Sequence, residues 1–264
     1  MLGHMLVEYF KGKINFEVFG LNQEQFSSPK YNYEEKLNKI MPDIIINALR
    51  IVVKESENHP EKAMYINSYI PKFIERKYYN SKMKIIHLST DCVFSGDKGN
   101  YSEEDIPDGS GVYSISKSLG EIINNKDLTI RTSYIGPCLI NQQEELFDWF
   151  IRQNDYVEGF KNAYWNGLTT LELSKQIHTV INNNISGLYH LSSKTKISKY
   201  ELLIMIKKQW GKNNIKINPL FDNKIDRSLV DNRKELNVSQ YNKMFKELHG
   251  FMGNNKKLYD HYYQ

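Results

Sequence analysis

Short apolar runs bounded by polar turns alternate along this chain with stretches in which apolar residues return every three or four positions. Met1, Leu2, Met5, Leu6 and Phe10 fall at helical spacing up to a stop at Gly12, and Ile14-Asn15-Phe16-Glu17-Val18-Phe19 then reads as a strand. Pro42-Asp43 leads into Ile44-Ile45-Ile46-Asn47-Ala48, a short buried strand. His59-Pro60 opens a helical stretch through Arg76, with Ala63, Ile66, Ile70 and Phe73 on its apolar side. Residues 84–88 form an apolar run with β-branched Ile85 and Ile86, ending in Ser89-Thr90-Asp91. Residues 112–119 lack Gly and Pro and predict a helix, and residues 128–134 predict another strand. An aromatic amphipathic helix is predicted around Leu146 to Ile151, then a helix capped by Thr169 or Thr170 with Glu172 close behind. Residues 187–191 predict a late strand, Ser198 caps a following helix, and residues 254–264, polar and aromatic without a clear period, predict a loosely held tail. Strands alternating with helices in this way predict an α/β chain with a parallel sheet.

Composition narrows the function classes. With 264 residues, 40% of them hydrophobic, the chain is long and apolar enough for one sizeable core and is not a disordered segment. The net charge of +4 comes from basic residues interspersed with acids, which argues against nucleic acid and leaves anionic small molecules as ligands. Cys92 and Cys138 are too few for a disulfide framework, and no C-x-x-C or H-x-x-x-H spacing points to a metal. No run approaches the ~18 apolar residues of a membrane helix, and the first residues do not read as a secretion signal, so a cytoplasmic protein without membrane association is expected.

The chemistry concentrates in residues 84–121. A strand ending in Ser89-Thr90-Asp91 delivers hydroxyls and a carboxylate to the carboxyl edge of a sheet, and a turn-rich loop follows. Tyr113 and Lys117, four apart, share one face of the next helix. An ammonium beside a phenol favours the phenolate, so the tyrosine can exchange protons near neutrality, while a hydroxyl of Ser89 or Thr90 holds the substrate oxygen. By itself Y-x-x-x-K is a weak signal, because tyrosine and lysine are abundant in this chain. His59 and His190 read as a loop residue and a satisfied strand histidine, with no neighbour in sequence that orients them for catalysis.

The ordered series of strand, S-T-D, x-V-F-x-G, acidic loop and V-Y-x-x-x-K-x-x-G-E resembles the extended short-chain dehydrogenase/reductases, and within them the dTDP-4-dehydrorhamnose reductase branch. The likeness runs from Met1 to about Asn232, is specific in the central segment and in G-L-T-T-L-E-L and G-L-Y-H-L-S-S, and is broken at the amino end. It implies a doubly wound, Rossmann-like parallel sheet with a small C-terminal substrate lobe. The dinucleotide-binding part would be residues 1–137, plus a returning segment at about 185–193, and residues 138–264 would be mainly the substrate lobe. The family's first strand and the earlier glycines of its glycine-rich turn have no counterpart here, and Gly3 matches only the last of those glycines. Three explanations stand: a start assigned too late or a clipped chain, a decayed gene product, and a working variant with a substitute.

Carried over position by position, the resemblance implies Thr90, Tyr113 and Lys117 as catalytic residues. Tyr113 would donate the proton to a ketone oxygen, Lys117 would lower its pKa and hold the nicotinamide ribose, and Thr90 would bond the same oxygen. Gly3, Asn22, Asn47, Ala48, Ser89, Tyr113, Lys117 and Gly136 would bind the cofactor, with Leu21-Asn22-Gln23 where an acidic residue usually meets the adenosine ribose and Asn47 to Arg50 lining the adenine or nicotinamide side. Asp91, Val93, Phe94, Trp165, Asn166, Thr169 and Arg227 would bind substrate, Arg227 reaching a diphosphate unless it forms an ion pair with Asp226 or Asp231. Asn67 matches a helix asparagine that bonds backbone near the active site. The implied activity is NAD(P)H-dependent reduction of a nucleotide-diphosphate 4-keto-6-deoxysugar, with NADP against NAD open and a homodimer considered. An epimerase or dehydratase of the same superfamily is the rival enzyme, although dehydratases carry T-D-E where Cys92 follows Asp91 here. A non-catalytic regulatory or scaffold subunit is the third reading.

Overall fold

Four of the apolar runs assemble into one parallel sheet. The computed structural model describes residues 1–22, 33–139, 145–222 and 224–263. Its first half comprises α1 (Leu2–Lys11), α2 (Tyr33–Ile40), β1 (Ile44–Asn47), α3 (Val53–Asn58), α4 (Pro60–Ala63), a π-helical turn at Met64–Tyr69, α5 (Ile70–Tyr78), β2 (Lys84–Thr90), α6 (Val112–Leu119), β3 (Leu128–Thr132) and β4 (Tyr134–Ile135). The second half comprises α7 (Leu146–Ile151), β5 (Tyr156–Phe160), β6 (Ala163–Trp165), β7 (Leu168–Thr169), α8 (Thr170–Asn182), β8 (Gly187–His190), β9 (Ile197–Ser198), α9 (Lys199–Gln209), β10 (Lys216–Leu220), β11 (Ile225–Asp226), α10 (Tyr241–Asn254) and α11 (Lys256–Tyr259). The main sheet has the order β1-β2-β3-β8, every neighbouring pair parallel, so the late strand at 187–190 does return to it.

Strand alternation divides the sheet's side chains between two helical layers. Ile86, Leu88, Leu128 and Ile130 join Leu2, Met5 and Leu6 of α1 and Leu173, Ile177 and Val180 of α8 in one apolar cluster. That cluster continues into α9 and α10 through Leu202, Ile206, Phe245 and Leu248. On the opposite face Ile85 packs with Ile66, Ile70, Ile74 and Ile122. Further along that second face the strands carry His87, Ser89, Thr129 and Arg131, all buried, under α6 and the turn after it. Two caps expected from sequence form: the Thr169 hydroxyl accepts from Glu172 N at the start of α8, and Ser198 and Glu201 make a reciprocal capping box at the start of α9.

The structure departs from the sequence pattern in three places. Residues 14–19 are not a strand: Lys13 N and Phe16 N donate to Phe10 O and Lys13 O, closing a turn in which Ile14 is fully exposed. Phe16 and Val18 then pack against the apolar cluster, so the alternation serves packing and not a ladder. The run at 128–134 divides at Ser133, whose carbonyl accepts from Leu168 N as the chain leaves the main sheet to pair β4 with β7. The tail is docked, not loose: Tyr259 is fully buried and bonds His4 at 3.1 Å, and the Tyr262 hydroxyl accepts from Cys138 N at 2.8 Å. Aromatic side chains spaced without a helical period fill irregular gaps between other elements, which is why periodicity did not register them.

Candidate active site

At the carboxyl ends of β1, β2 and β3 the sheet opens into a cavity of about 200 Å³. Tyr113 and Lys117 face it from α6, Thr90 and Asp91 from the end of β2, Ala48 and Arg50 from the loop after β1, and Trp165 and Lys199 from the C-terminal half. The helix carrying the tyrosine is fixed at both ends. Its first amide, Val112 N, donates to the Glu57 carboxylate at 2.9 Å across Gly111, which has a positive φ of 90°. At its far end Gly120 sits so close to the π-helical turn that an added Cβ would lie 1.9 Å from Asn67 O. The Asn67 side chain accepts from Ile51 N and donates to the Ser116 hydroxyl, tying the loop after β1 to α6.

Neighbouring side chains at the end of β2 point to opposite faces. The Thr90 hydroxyl donates to the Asp91 carboxylate at 3.1 Å and accepts from Cys92 N. The Ser89 hydroxyl instead donates to Glu121 at 2.7 Å, and Glu121 takes both Nε and Nη2 of Arg131 at 2.8 Å. Arg131 also donates to Nε2 of His190, so the proton of that imidazole resides on Nδ1, which donates to Tyr101 O. Burial, with Arg131 adding to it, holds the histidine down at about 4, so it is neutral at pH 7. Ser89, Glu121, Arg131 and His190 thus brace the floor beneath the cavity.

Electrostatically, burial is the largest influence on both Tyr113 and Lys117. Burial pushes the Tyr113 phenol above the ordinary tyrosine range; the Arg50 guanidinium opposes that, and Cys92 and Tyr134 reinforce it. Lys117 donates to Leu88 O at 2.6 Å, and burial lowers it to about 7, with Glu121 opposing the fall and Arg50 adding to it. Arg50 forms an ion pair with Glu145, and its guanidinium carbon lies 5.4 Å from the Tyr134 ring centroid.

The residues singled out from sequence scatter around this centre. Thr90, Asp91, Tyr113, Lys117, Ala48, Ser89 and Trp165 line the cavity. Asn47 lies just behind it, its side chain bonded to His87 and to Leu49 N. Val93 and Phe94 are buried in a small cluster with Tyr101 and Leu229, Phe94 stacked on Tyr101 at 4.2 Å. Asn166 clamps Leu229 and Ser193 O, and Thr169 caps α8. Arg227 pairs with neither Asp226 nor Asp231: it donates to Phe94 O and approaches the Cys92 sulfur at 3.9 Å, while Asp226 binds Lys196 and Asp231 accepts from Tyr189. Gly136 packs against Thr170, with an added Cβ 2.2 Å from its hydroxyl, while Gly3 has open space around it. Asn22 is exposed and is not among the residues lining the cavity, and Gln23 lies outside the described residues. His59 is exposed beside Glu61. Sequence reasoning passed over Lys199, Tyr134 and Glu145; Lys199 was hidden by its place directly after a helix cap, where a lysine reads as solvent-facing.

The residues around Tyr113 fit the nicotinamide riboside end of a dinucleotide. A phenol and an ammonium there can meet ribose hydroxyls, and the small Ala48 side chain leaves room for a flat ring.

Three comparisons bear on what this arrangement belongs to. The family described as RmlD substrate binding domain matches residues 1–246. The chain is similar to the dTDP-4-dehydrorhamnose reductase of Salmonella typhimurium, 33% identical over an alignment of 179 residues that covers 63% of this chain and 59% of that protein. The match therefore spans about three-fifths of that relative's length. Among solved structures, a dTDP-4-dehydrorhamnose reductase from Clostridium acetobutylicum superposes with a TM-score of 0.81 at 21% identity over 96% of both chains. Another from Bacillus anthracis, in complex with NADP, superposes with a TM-score of 0.80 at 20% identity over 94% of both chains. These two likenesses establish a shared fold.

Proposed function

The chain belongs to the RmlD substrate-binding-domain family, and from that premise we propose that it is an oxidoreductase that reduces the 4-keto group of a nucleotide-diphosphate 6-deoxysugar with NADPH or NADH. The observation that carries the reading is the meeting of Thr90, Tyr113 and Lys117 at one cavity. A ketone oxygen lying between those hydroxyls accepts the Tyr113 proton as hydride reaches the carbonyl carbon, and Thr90 bonds the same oxygen. The nicotinamide supplies the hydride when bound. Tyr113 and Lys117 would hold its ribose, with Ala48 beside the ring. Asp91, Trp165 and Arg227 reach the other side of the same region and would meet the sugar and its diphosphate. Residues 1–137 with 185–193 would then carry the cofactor side, and residues 138–264 mainly the substrate side.

The rival chemistry of the wider superfamily, dehydration or epimerisation, is disfavoured by the residue after Asp91, where Cys92 stands with its thiol raised to about 12 chiefly by burial. A thiol raised that far neither gives nor takes a proton readily near pH 7, so it does not replace the second carboxyl group. The test is direct: purified protein is mixed with dTDP-4-dehydrorhamnose and either NADPH or NADH, and loss of the reduced nicotinamide absorbance is followed. Stoichiometric consumption with formation of a 4-hydroxy sugar is expected. Retention of a tightly bound cofactor with no net consumption would move the assignment to the epimerases, and no binding of either nucleotide would leave a non-catalytic subunit.

A further inference from the structure

Arg50, Lys117 and Lys199 bring cationic side chains to the cavity, and they differ in what holds them. Arg50 is paired with Glu145 and Lys117 donates to Leu88 O, whereas Lys199 forms no hydrogen bond or ion pair among the described residues. What it has is an aromatic shelf: its ammonium lies 5.3 Å from the Trp165 ring centroid. Sheet pairing and a helix cap set that placement. β9 runs antiparallel to β6 with Ile197 opposite Trp165, and Lys199 opens α9 directly after the Ser198 cap. Trp165 is itself buried, stacked on Tyr241 and bonded through Nε1 to the Ser133 hydroxyl at 2.9 Å, so the shelf is fixed.

The empty fold gains little from this charge. A cation in the first turn of a helix opposes the macrodipole, and burial lowers Lys199 below the ordinary lysine range, with Asp91 opposing the fall. Acids on neighbouring elements are engaged elsewhere. Glu201 accepts from Ser198 N and Oγ, and Asp226, in the same small sheet as Trp165, binds Lys196 and the Ser228 hydroxyl. An ammonium that faces a cavity at a cost to the fold, with no anion of its own, is a charge kept for a ligand. We propose that Lys199 binds the diphosphate of the nucleotide sugar, at the phosphate joined to the sugar. The inference rests on the reduction proposed above for the identity of its ligand. Thr90 and Tyr113 take the carbonyl end of the sugar in the same cavity, so the phosphate next to the sugar is the part of the diphosphate that comes within reach of Lys199. Arg227, whose guanidinium approaches the cavity-lining Cys92 at 3.9 Å, is the second cation on that side.

Calorimetric titration of the full chain with dTDP, dTMP and NADPH tests this without turnover. Lys199→Met is expected to weaken dTDP roughly 10–100-fold, as loss of one charge-assisted hydrogen bond does, to weaken dTMP far less, and to leave NADPH unchanged. Lys199→Arg keeps the charge and should retain most of the dTDP affinity. Because the ammonium costs the empty protein stability, the melting temperature of ligand-free Lys199→Met should equal or exceed that of wild type. Lys199→Gln, which keeps a polar end, repeats the titrations should methionine disturb Trp165. Failure of wild type to bind dTDP, an unchanged dTDP affinity in both neutral variants, or a loss shared equally by dTMP or NADPH overturns the proposal. So does a lower melting temperature with dTDP affinity lost in Lys199→Arg as well, since that marks a packing role. The reduction is judged separately: dTDP affinity that depends on Lys199 in a protein that consumes no NADPH or NADH would sink the reductase reading and leave the diphosphate contact standing.

Discussion

The Lys117 ammonium donates to the carbonyl of Leu88 at 2.6 Å, so the lysine of the Y-x-x-x-K pair is held against β2 by a buried hydrogen bond. Its side chain is almost wholly buried, and its value of about 7 lies below the ~10.4 of a free lysine. Between those values the unfolded chain binds more protons than the folded one, so this residue makes stability rise with pH across that window. Its destabilising cost is fully present below about 7 and fades toward the free value. Lys117→Met removes the cost. Urea midpoints of wild type relative to Lys117→Met should therefore increase steadily from neutral to alkaline pH, and a constant difference would show that the lysine is not held neutral by burial.

Tyr113 and Thr90 make separable predictions. Tyr113→Phe keeps the ring but removes the proton donor, and kcat should fall ~10²–10⁴-fold with KM nearly unchanged. Thr90→Val removes the hydroxyl that would bond the substrate oxygen, and about 10-fold is expected in kcat. Steady-state kinetics with sugar nucleotide varied at saturating cofactor distinguish them. A Tyr113→Phe enzyme retaining most of its rate would remove the phenol from the mechanism.

How far the sequence foretold this depends on whether a residue's role is local. The strands at 44–47, 84–90 and 187–190, the α6 helix and the Ser198 cap were legible because periodicity and caps are written within a few residues. The pairing of Thr90 with Tyr113 was legible through the resemblance of an ordered motif. Arg50 fell within a segment expected to line the cofactor, but its ion pair with Glu145 was not legible, since the two lie 95 positions apart and meet only in the folded chain. Phe94 and Asn166 failed in the other direction. Both lie in recognisable motifs, yet their side chains are committed to packing and to backbone clamps, which no local pattern reveals.

The Glu121–Arg131 pair should matter to stability more than to chemistry. Both side chains are buried, and the carboxylate also accepts from Ser89. Arg131→Met leaves Glu121 charged and partnered only by a hydroxyl, so about 3–5 kcal/mol should be lost in urea denaturation. Adding Glu121→Leu to that variant should recover most of the loss, because an apolar pair has no charge to desolvate. If the single and double variants are equally unstable, the pair's shape and not its charge is what the floor of the site requires.

Two glycines singled out by the same motifs should behave in opposite ways. An alanine at Gly120 would put its Cβ 1.9 Å from the Asn67 carbonyl oxygen and 3.1 Å from Pro71. That oxygen belongs to the backbone of the π-helical turn, and it cannot withdraw without moving the Asn67 side chain that joins Ile51 to α6. Gly120→Ala should thus cost about 1–3 kcal/mol, the usual range for overpacking, and should lower kcat as α6 shifts. Gly3 has nothing within 4 Å of an added Cβ and lies in α1, so Gly3→Ala should leave the stability unchanged or raise it by about the few tenths to 1 kcal/mol that alanine contributes in a helix. Its bearing on cofactor is then read cleanly by calorimetry with NADPH. A weaker affinity in a protein of undiminished stability places the dinucleotide against the start of α1, and an unchanged affinity removes Gly3 from the cofactor site.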